Sequence, residues 1–132
     1  MNIIVDTNLW VSFLIGKRLK ELKKLLNDKN LHIFVCNQLL DELKDVTSRK
    51  KIQKYVGITD IIDTFDLINN FCQYVVIQQN AQSSVRDIND LYLLSLADTV
   101  KAEYLITGDK DLLTLHSHNQ TKIVSFTEFT TR

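Results

Sequence analysis

Two acidic residues of this sequence stand where short apolar segments end. Asp6 directly follows the apolar residues 3–5, and Asp109 lies in the turn after Tyr104–Ile106. Short apolar runs of this kind are typical of buried strands. Ligands of open parallel sheets bind at the carboxyl ends of the strands. If the two strands are parallel neighbours, Asp6 and Asp109 lie together at that edge, although each aspartate could instead simply cap the helix that follows it.

Two further acids continue the apolar faces of predicted helices. Glu42 lies at helical spacing from Leu39 and Val46, which places it on or beside the inward face of its helix. Asp90 shares a helical face with Leu94 in the same way. A carboxylate that is buried without a partner is costly. Both acids therefore need a cation, a proton or dense hydrogen bonding.

The four acids could form one oxygen-rich cluster, because no lysine or arginine is obviously placed to neutralise them. They are Asp6, Glu42, Asp90 and Asp109. Carboxylate oxygens are hard ligands, which suit Mg²⁺ or Mn²⁺. The pattern therefore favours a divalent metal site, and four unrelated helix caps and surface acids are the alternative.

The charge balance limits how the chain could bind nucleic acid. The 132 residues suit one domain, and 16 basic and 16 acidic residues give a formal net charge of zero. No global positive field therefore attracts a polyanion, and such binding must use local patches. The dense basic patches are Lys17, Arg18, Lys20, Lys23 and Lys24, and Arg49, Lys50, Lys51 and Lys54. Solvated helix faces are the alternative interpretation of both patches.

The cysteines and the N-terminus indicate the compartment. Cys36 and Cys72 lie in apolar surroundings, which predicts two free, buried thiols and a reducing environment. No basic segment precedes the first apolar run, and Asp6 interrupts that run, so neither a signal peptide nor a membrane span is predicted. We therefore expect a cytoplasmic protein that makes no contact with membranes.

The order of predicted elements gives the fold class. Strands are predicted at 2–6, 32–36, 73–78, 104–106 and 123–125, and helices at 9–14, 19–27, 37–48, 49–56, 59–71, 90–101 and 110–115. Residues 79–89 are predicted to be a polar loop, and Asn37 and Thr59 are predicted as helix N-caps. A capping box at residues 125–128 opens a last helical turn. Strands that alternate with helices predict a Rossmann-like, three-layer α/β/α sandwich with a central parallel sheet of about five strands, formed by residues 1–132 as a single domain. His116 and His118 are predicted to lie in a solvated loop.

The order and spacing of four short motifs resemble a known family. The motifs are Val5-Asp6-Thr7-Asn8, Leu39-Leu40-Asp41-Glu42-Leu43, the segment from Arg86-Asp87 to Ala97, and the run from Tyr104 to Leu113. Together they resemble the PIN-domain proteins, in particular the VapC-like toxins of bacterial toxin–antitoxin pairs, over essentially the whole chain. The resemblance implies a Mg²⁺- or Mn²⁺-dependent endoribonuclease that cleaves single-stranded or loop RNA. It also implies an antitoxin protein as partner and allows a homodimer.

The resemblance also assigns roles to individual residues. The residues that it places around the ion are Asp6, Glu42, Asp90 and Asp109. Bound water would then attack the phosphodiester as hydroxide. Asn8 and Thr107 match positions that support the acids by hydrogen bonding, and Asp87 and Asp111 match acidic positions near the site. The basic patches, chiefly Arg49, Lys50, Lys51 and Lys54 with Lys17 and Arg18, become candidates for RNA contact.

The sequence departs from the family pattern beside the third acid. Ile88 stands where proline is usual, which leaves the loop less restricted, and Leu91 stands where a second polar or acidic residue is common. The third ligand is therefore either Asp87 or Asp90. The position of Ala97, which matches an alanine of the family's helix, favours Asp90.

Other enzyme classes fit the motifs poorly. An aspartyl phosphatase would need a second acid in place of Asn8, and a receiver domain would need a lysine after the last strand, where Ser125 stands. A dinucleotide-binding domain would need a glycine-rich first turn. The remaining alternative is a catalytically weak or inactive binding module of the same fold, which would act through a partner protein.

Overall fold

The computed structural model describes residues 1–78 and 90–132, and within these ranges the chain forms one mixed sheet. The strands are β1 (Asn2–Val5), β2 (His32–Val35), β3 (Gln73–Tyr74), β4 (Tyr104–Ile106), β5 (Ser117–His118) and β6 (Thr121–Val124). Their order across the sheet is β3-β2-β1-β4-β6-β5. Neighbouring strands are parallel except for β5 and β6, which are antiparallel.

Helices lie in the connections between strands, and a last helix follows β6. They are α1 (Thr7–Ile15), α2 (Leu19–Asn27), α3 (Asn37–Ser48), α4 (Lys50–Gln53), α5 (Ile58–Phe71), α6 (Leu91–Val100), α7 (Lys110–Leu115) and α8 (Phe126–Thr130). This architecture confirms the predicted α/β sandwich. None of the helices in the described ranges is long and apolar enough to cross a membrane.

The centre of the sheet is formed by the two strands that precede Asp6 and Asp109. Residues 3–5 of β1 and Leu105 and Ile106 of β4 are fully buried, as expected for central parallel strands. The register pairs Val5 with Ile106. Because the two strands end level with each other, the residues that follow them meet at one edge of the sheet.

The antiparallel edge of the sheet differs from the prediction. The last parallel strand begins at Thr121, earlier than predicted, and β5 pairs with it where a loop was expected. The prediction of a solvated loop was correct for the exposed His116 but wrong for His118. The Nε2 atom of His118 lies 3.1 Å from Oδ2 of Asp98, and the His118 side chain is only 10% exposed. The imidazole therefore links the β5–β6 hairpin to α6 through two residues that are distant in the sequence.

The opposite edge of the sheet is shorter than predicted. Only Gln73–Tyr74 of the predicted strand 73–78 forms β3. The N–H of Val75 still donates to the carbonyl of Val35 at 2.9 Å, so the chain follows β2 for a further residue. The loop predicted at 79–89 lies outside the described residues.

Several helix boundaries differ from the predicted caps. Cys36, and not Asn37, is the N-cap of α3, and Gly57, and not Thr59, is the N-cap of α5. Neither N-cap residue makes a side-chain capping bond. Both have an extended backbone, and each helix begins at the next residue. The predicted capping box at Ser125 is confirmed, with both of its hydrogen bonds present.

Candidate active site

Asp6 lies at the junction of the two central strands and α1. Its backbone N–H donates to the carbonyl of Ile106 at 2.9 Å, which joins the end of β1 to the end of β4. Trp10, one turn into α1, donates its indole N–H to the carbonyl of Val5 at 3.0 Å. Asp6 is 2% exposed and occupies the N-cap position of α1, but its side chain makes no capping bond. The carboxylate is therefore committed to other partners.

Thr107 is the side-chain partner of Asp6. Its hydroxyl donates to Oδ2 of Asp6 at 2.7 Å and accepts the backbone N–H of Asp109 at 3.0 Å. Thr107 is fully buried, so the hydroxyl is held away from water. One hydroxyl thus connects the carboxylate that follows β1 to the chain segment that carries the acid after β4.

The electrostatics of Asp6 reflect burial near a second carboxylate. Desolvation raises the pKa of Asp6, and the negative charge of Asp109 raises it further. The hydrogen bond from Thr107 and the backbone N–H groups of Asn8 and Thr7 act in the opposite direction. Because the net pKa change is upward, the ionised form of Asp6 is destabilised in the folded protein, and a cation at this position would relieve that penalty.

Glu42 joins this region through Tyr92. Glu42 is half-buried on α3, and the Tyr92 hydroxyl donates to its Oε2 at 3.2 Å. The same hydroxyl lies 3.3 Å from Oγ1 of Thr7, the residue after Asp6. Through the Tyr92 hydroxyl, Glu42 is therefore linked to the Thr7 hydroxyl beside Asp6.

Tyr92 and Thr7 were not among the predicted site residues. Desolvation raises the pKa of Tyr92, and the nearby charges of Glu42 and Asp6 raise it as well. The sequence held one signal for Tyr92, which is its place in the first turn of a helix, near Asp90. Its meaning depended on α3 packing against α1, which the sequence alone does not reveal.

The remaining predicted residues have different environments. Asp90 is half-buried and is the N-cap residue of α6, while Asp87 lies outside the described residues. Asp111 is exposed, and its backbone N–H donates to Oδ1 of Asp109 at 2.8 Å. The side chain of Asn8 is exposed, so its effect on the pKa of Asp6 comes from its backbone. The structure thus brings Asp6, Asp109 and, through Tyr92, Glu42 into one region.

The basic patches are partly engaged within the chain. Arg18 pairs with Glu21, and its guanidinium lies over the rings of Phe13 and Phe126 at 5.2 and 5.6 Å from their centroids. Arg49 pairs with Asp45 at 2.8 Å, with both side chains largely exposed. Exposed ion pairs are weak and exchange easily with solvent. Arg49 is therefore more available to a polyanion than Arg18.

The donor set fits a hard divalent cation. Asp6 and Asp109 supply carboxylate oxygens, and the charge of Asp109 lies close enough to raise the pKa of Asp6. Mg²⁺ is often held by only one or two carboxylates, with water and phosphate oxygens completing its shell. No group of three or more His, Cys, Asp and Glu side chains is arranged to hold a metal ion in the part of the chain that the structure describes. The site thus resembles an open carboxylate pair more than a closed protein cage.

Comparisons with known sequences identify a family. A family model described as PIN domain matches residues 2–111. The uncharacterized protein MJ1680 of Methanocaldococcus jannaschii is 28% identical over 127 residues, which cover 91% of this chain and 78% of that protein. The family match over residues 2–111 spans the positions of Asp6, Glu42, Asp90 and Asp109.

Solved structures show the same fold. A chain from VapBC2 of Rickettsia felis, bound to a DNA fragment from its promoter, has a TM-score of 0.58 at 18% identity and covers 93% of this chain and 97% of its own. A domain of a functionally unknown protein from Methanocaldococcus jannaschii has a TM-score of 0.56 at 18% identity, with 95% and 89% covered. The T. brucei RRP44 PIN domain has a TM-score of 0.51 at 14% identity, with 98% and 78% covered.

Proposed function

The chain belongs to the PIN domain family, and from this premise we propose that it is a divalent-metal-dependent endoribonuclease that cleaves single-stranded or loop RNA. The observation that carries the proposal is the buried Asp6. Its pKa is raised by desolvation and by the charge of Asp109, although the hydrogen bond from Thr107 and the nearby backbone N–H groups of Asn8 and Thr7 favour the ionised form. An acid that is costly to ionise beside a second acid is typical of sites that bind a cation.

The metal would be held by Asp6 and Asp109, with Glu42 and Asp90 completing the acidic surroundings. Mg²⁺ or Mn²⁺ at such a position supplies charge to polarise a phosphodiester and lowers the pKa of bound water. The protein would supply the orientation of the acids. Thr107 fixes one oxygen of Asp6 through its 2.7 Å bond.

RNA would reach this site across the basic surface. The proposed contacts are Arg49, Lys50, Lys51 and Lys54 near α4 and Lys17 and Arg18 before α2. Lys50, Lys51 and Lys54 are exposed, which supports contact with a flexible phosphate backbone. Binding of single strands through phosphates would weaken steeply as salt increases.

A cleavage assay tests the enzymatic proposal. Purified protein is incubated with a single-stranded RNA that carries a fluorophore and a quencher, in Mn²⁺, in Mg²⁺ and in EDTA. We expect cleavage that requires the metal. Asp6→Asn should reduce the rate by more than about 100-fold, because even partners outside the metal's ligand shell cost about 10–100-fold. Asp63→Asn, the same change at an exposed position of α5, is the matched control and should leave the rate unchanged.

A protein partner completes the proposed function. One structure of the same fold is that of VapBC2 of Rickettsia felis bound to promoter DNA, and we propose that this chain likewise pairs with an antitoxin in the cytoplasm. Tyr55, Ile58 and Ile62 are 62%, 65% and 54% exposed, an apolar surface that supports contact with a protein or with a second copy. Co-expression with the product of the adjacent gene, followed by size-exclusion chromatography, tests this. A chain that elutes alone would refute the pairing with that product.

The alternative is a binding module of the same fold without significant cleavage. The assay above separates the two functions when RNA binding is measured in parallel by fluorescence anisotropy. Binding without cleavage in either metal would favour the module. The buried carboxylate of Asp6 argues against the binding module. Ionisation of Asp6 is unfavourable in the folded protein, and without a bound ion that net cost would remain.

A further inference from the structure

The hydroxyl of Tyr92 lies between polar groups from two other elements. Its oxygen is 3.3 Å from Oγ1 of Thr7 at the start of α1 and 3.2 Å from Oε2 of Glu42 on α3. Thr7 is fully buried and directly follows Asp6. One phenol at the start of α6 therefore connects the helices that carry two of the acids.

The chemistry of the three groups fixes the direction of these hydrogen bonds. An ionised carboxylate can only accept, and a phenol carries a single hydrogen. Tyr92 therefore donates to Glu42, and the Thr7 hydroxyl must donate to the phenol oxygen. The two hydrogen bonds therefore run in the same direction, from Thr7 to Tyr92 and from Tyr92 to Glu42.

We propose that Tyr92 is a positioning residue that holds the Glu42 carboxylate in its orientation toward the acidic site, an inference that rests on the proposed metal-dependent function. Both bonds lie beyond the usual 2.5–3.0 Å range of O–H···O contacts. Their loss should therefore cost little stability, and its effect is expected on the orientation of Glu42. Loss of such a partner typically weakens metal binding by about 10–100-fold. The long contacts place the expected loss near the lower limit.

The test uses Tyr92→Phe, which removes only the hydroxyl. Binding of Mn²⁺ is measured by isothermal titration calorimetry, and melting is measured in EDTA. We expect the Kd for Mn²⁺ to rise about tenfold with little change in the metal-free melting temperature. Tyr104→Phe is the matched control, because Tyr104 begins β4 at the opposite end of that strand and packs its ring on Phe129 at 5.3 Å. Its Kd should equal that of the wild type.

Two more variants separate positioning from a structural role. Thr7→Val removes the hydroxyl that donates to Tyr92 and should raise the Kd in the same direction. In a Glu42→Gln background, Tyr92→Phe should have no further effect, because the residue acts through Glu42. This pattern would support the proposal even if one variant were poorly folded.

The contrary outcomes are distinct from one another. A wild-type Kd in Tyr92→Phe, or a lower metal-free melting temperature with unchanged affinity for Mn²⁺, would overturn the positioning role while leaving the nuclease proposal intact. An equal loss in Tyr104→Phe would also overturn it. A wild-type protein that gives no binding heat with Mn²⁺ would overturn the metal-dependent function itself, and the role of Tyr92 with it.

Discussion

Replacing Thr107 with valine should destabilise the protein far more than removal of an ordinary buried hydroxyl. The Thr107 hydroxyl donates to the Asp6 carboxylate at 2.7 Å and accepts the N–H of Asp109 at 3.0 Å, and Thr107 is fully buried. A hydrogen bond to a charged group is worth about 1.5–3 kcal/mol and a neutral one about 1 kcal/mol. Valine keeps the shape of the side chain and removes both hydrogen bonds. We expect a loss of about 3 kcal/mol in the free energy of unfolding.

Thr121→Val provides the comparison. Thr121 is 1% exposed, and its hydroxyl donates to the carbonyl of Ala102 at 2.7 Å. This bond joins neutral groups, so its loss should cost about 1 kcal/mol. For a domain of this size each kcal/mol lowers Tm by about 4 °C. In thermal melting at pH 7.5 in EDTA, Thr107→Val should therefore have a Tm about 12 °C below that of the wild type, and Thr121→Val a Tm about 4 °C below it.

The pH dependence gives a second criterion for Thr107. Its hydrogen bond lowers the pKa of Asp6 against the dominant effect of desolvation. The stability that this bond adds is present while Asp6 is ionised and is lost as the pH falls through the pKa of Asp6. The difference between wild type and Thr107→Val should shrink on acidification, whereas that for Thr121→Val should stay constant. Equal, pH-independent losses in the two variants would refute the assigned role of Thr107.

Three further predictions concern other parts of the chain. Cys36 is buried as predicted, but Cys72 is only half-buried. Desolvation still raises the pKa of the Cys72 thiol to about 12, so its alkylation at pH 8 should be slower in the folded protein than in guanidinium by on the order of 1000-fold; similar rates would contradict this desolvation. Ser125→Ala removes the capping box of α8 and should cost about 1 kcal/mol, measured as a Tm lower by about 4 °C; an unchanged Tm would show that the box adds no stability. Reversing the charges of Arg49, Lys50 and Lys51 should reduce the slope of log Kd against log salt for single-stranded RNA by about 2; an unchanged slope would remove this patch from the binding surface.

The parts of the fold that depend on local pattern could be predicted from the sequence. The apolar run Tyr104–Ile106 and the helices Leu19–Asn27 and Lys110–Leu115 have the predicted bounds, because apolar periodicity and flanking polar residues define them. The antiparallel pairing of Ser117–His118 could not be predicted. The strand has only two residues, and the contact of His118 with Asp98 that accompanies the pairing joins residues 20 positions apart in the sequence.

The candidate site likewise has features that could be predicted from the sequence and features that could not. The proximity of Asp6 and Asp109 follows from two buried strands that end level in a parallel sheet. The link from Glu42 through Tyr92 to Thr7 could not be derived, because it requires the relative positions of three helices that are distant in the sequence. Side-chain contacts between elements depend on packing geometry, and periodicity fixes only which face of each helix points inward.

The central claim, that buried Asp6 belongs to a metal site, is tested most directly by melting wild type and Asp6→Asn in EDTA and in millimolar Mn²⁺. Because the pKa of folded Asp6 is raised, its contribution to stability is present at acidic pH below its unfolded pKa and is lost as the pH rises through the folded pKa. At pH 7.5 without metal, Asp6→Asn should therefore melt above wild type, and this difference should vanish toward pH 4.

Mn²⁺ should raise only the wild-type Tm. Saturation at about 100 times Kd adds about 2.7 kcal/mol, which corresponds to a Tm higher by about 10 °C. A wild-type protein that melts at the same temperature in EDTA and in Mn²⁺, together with an Asp6→Asn variant that melts lower than wild type in EDTA, would contradict the account.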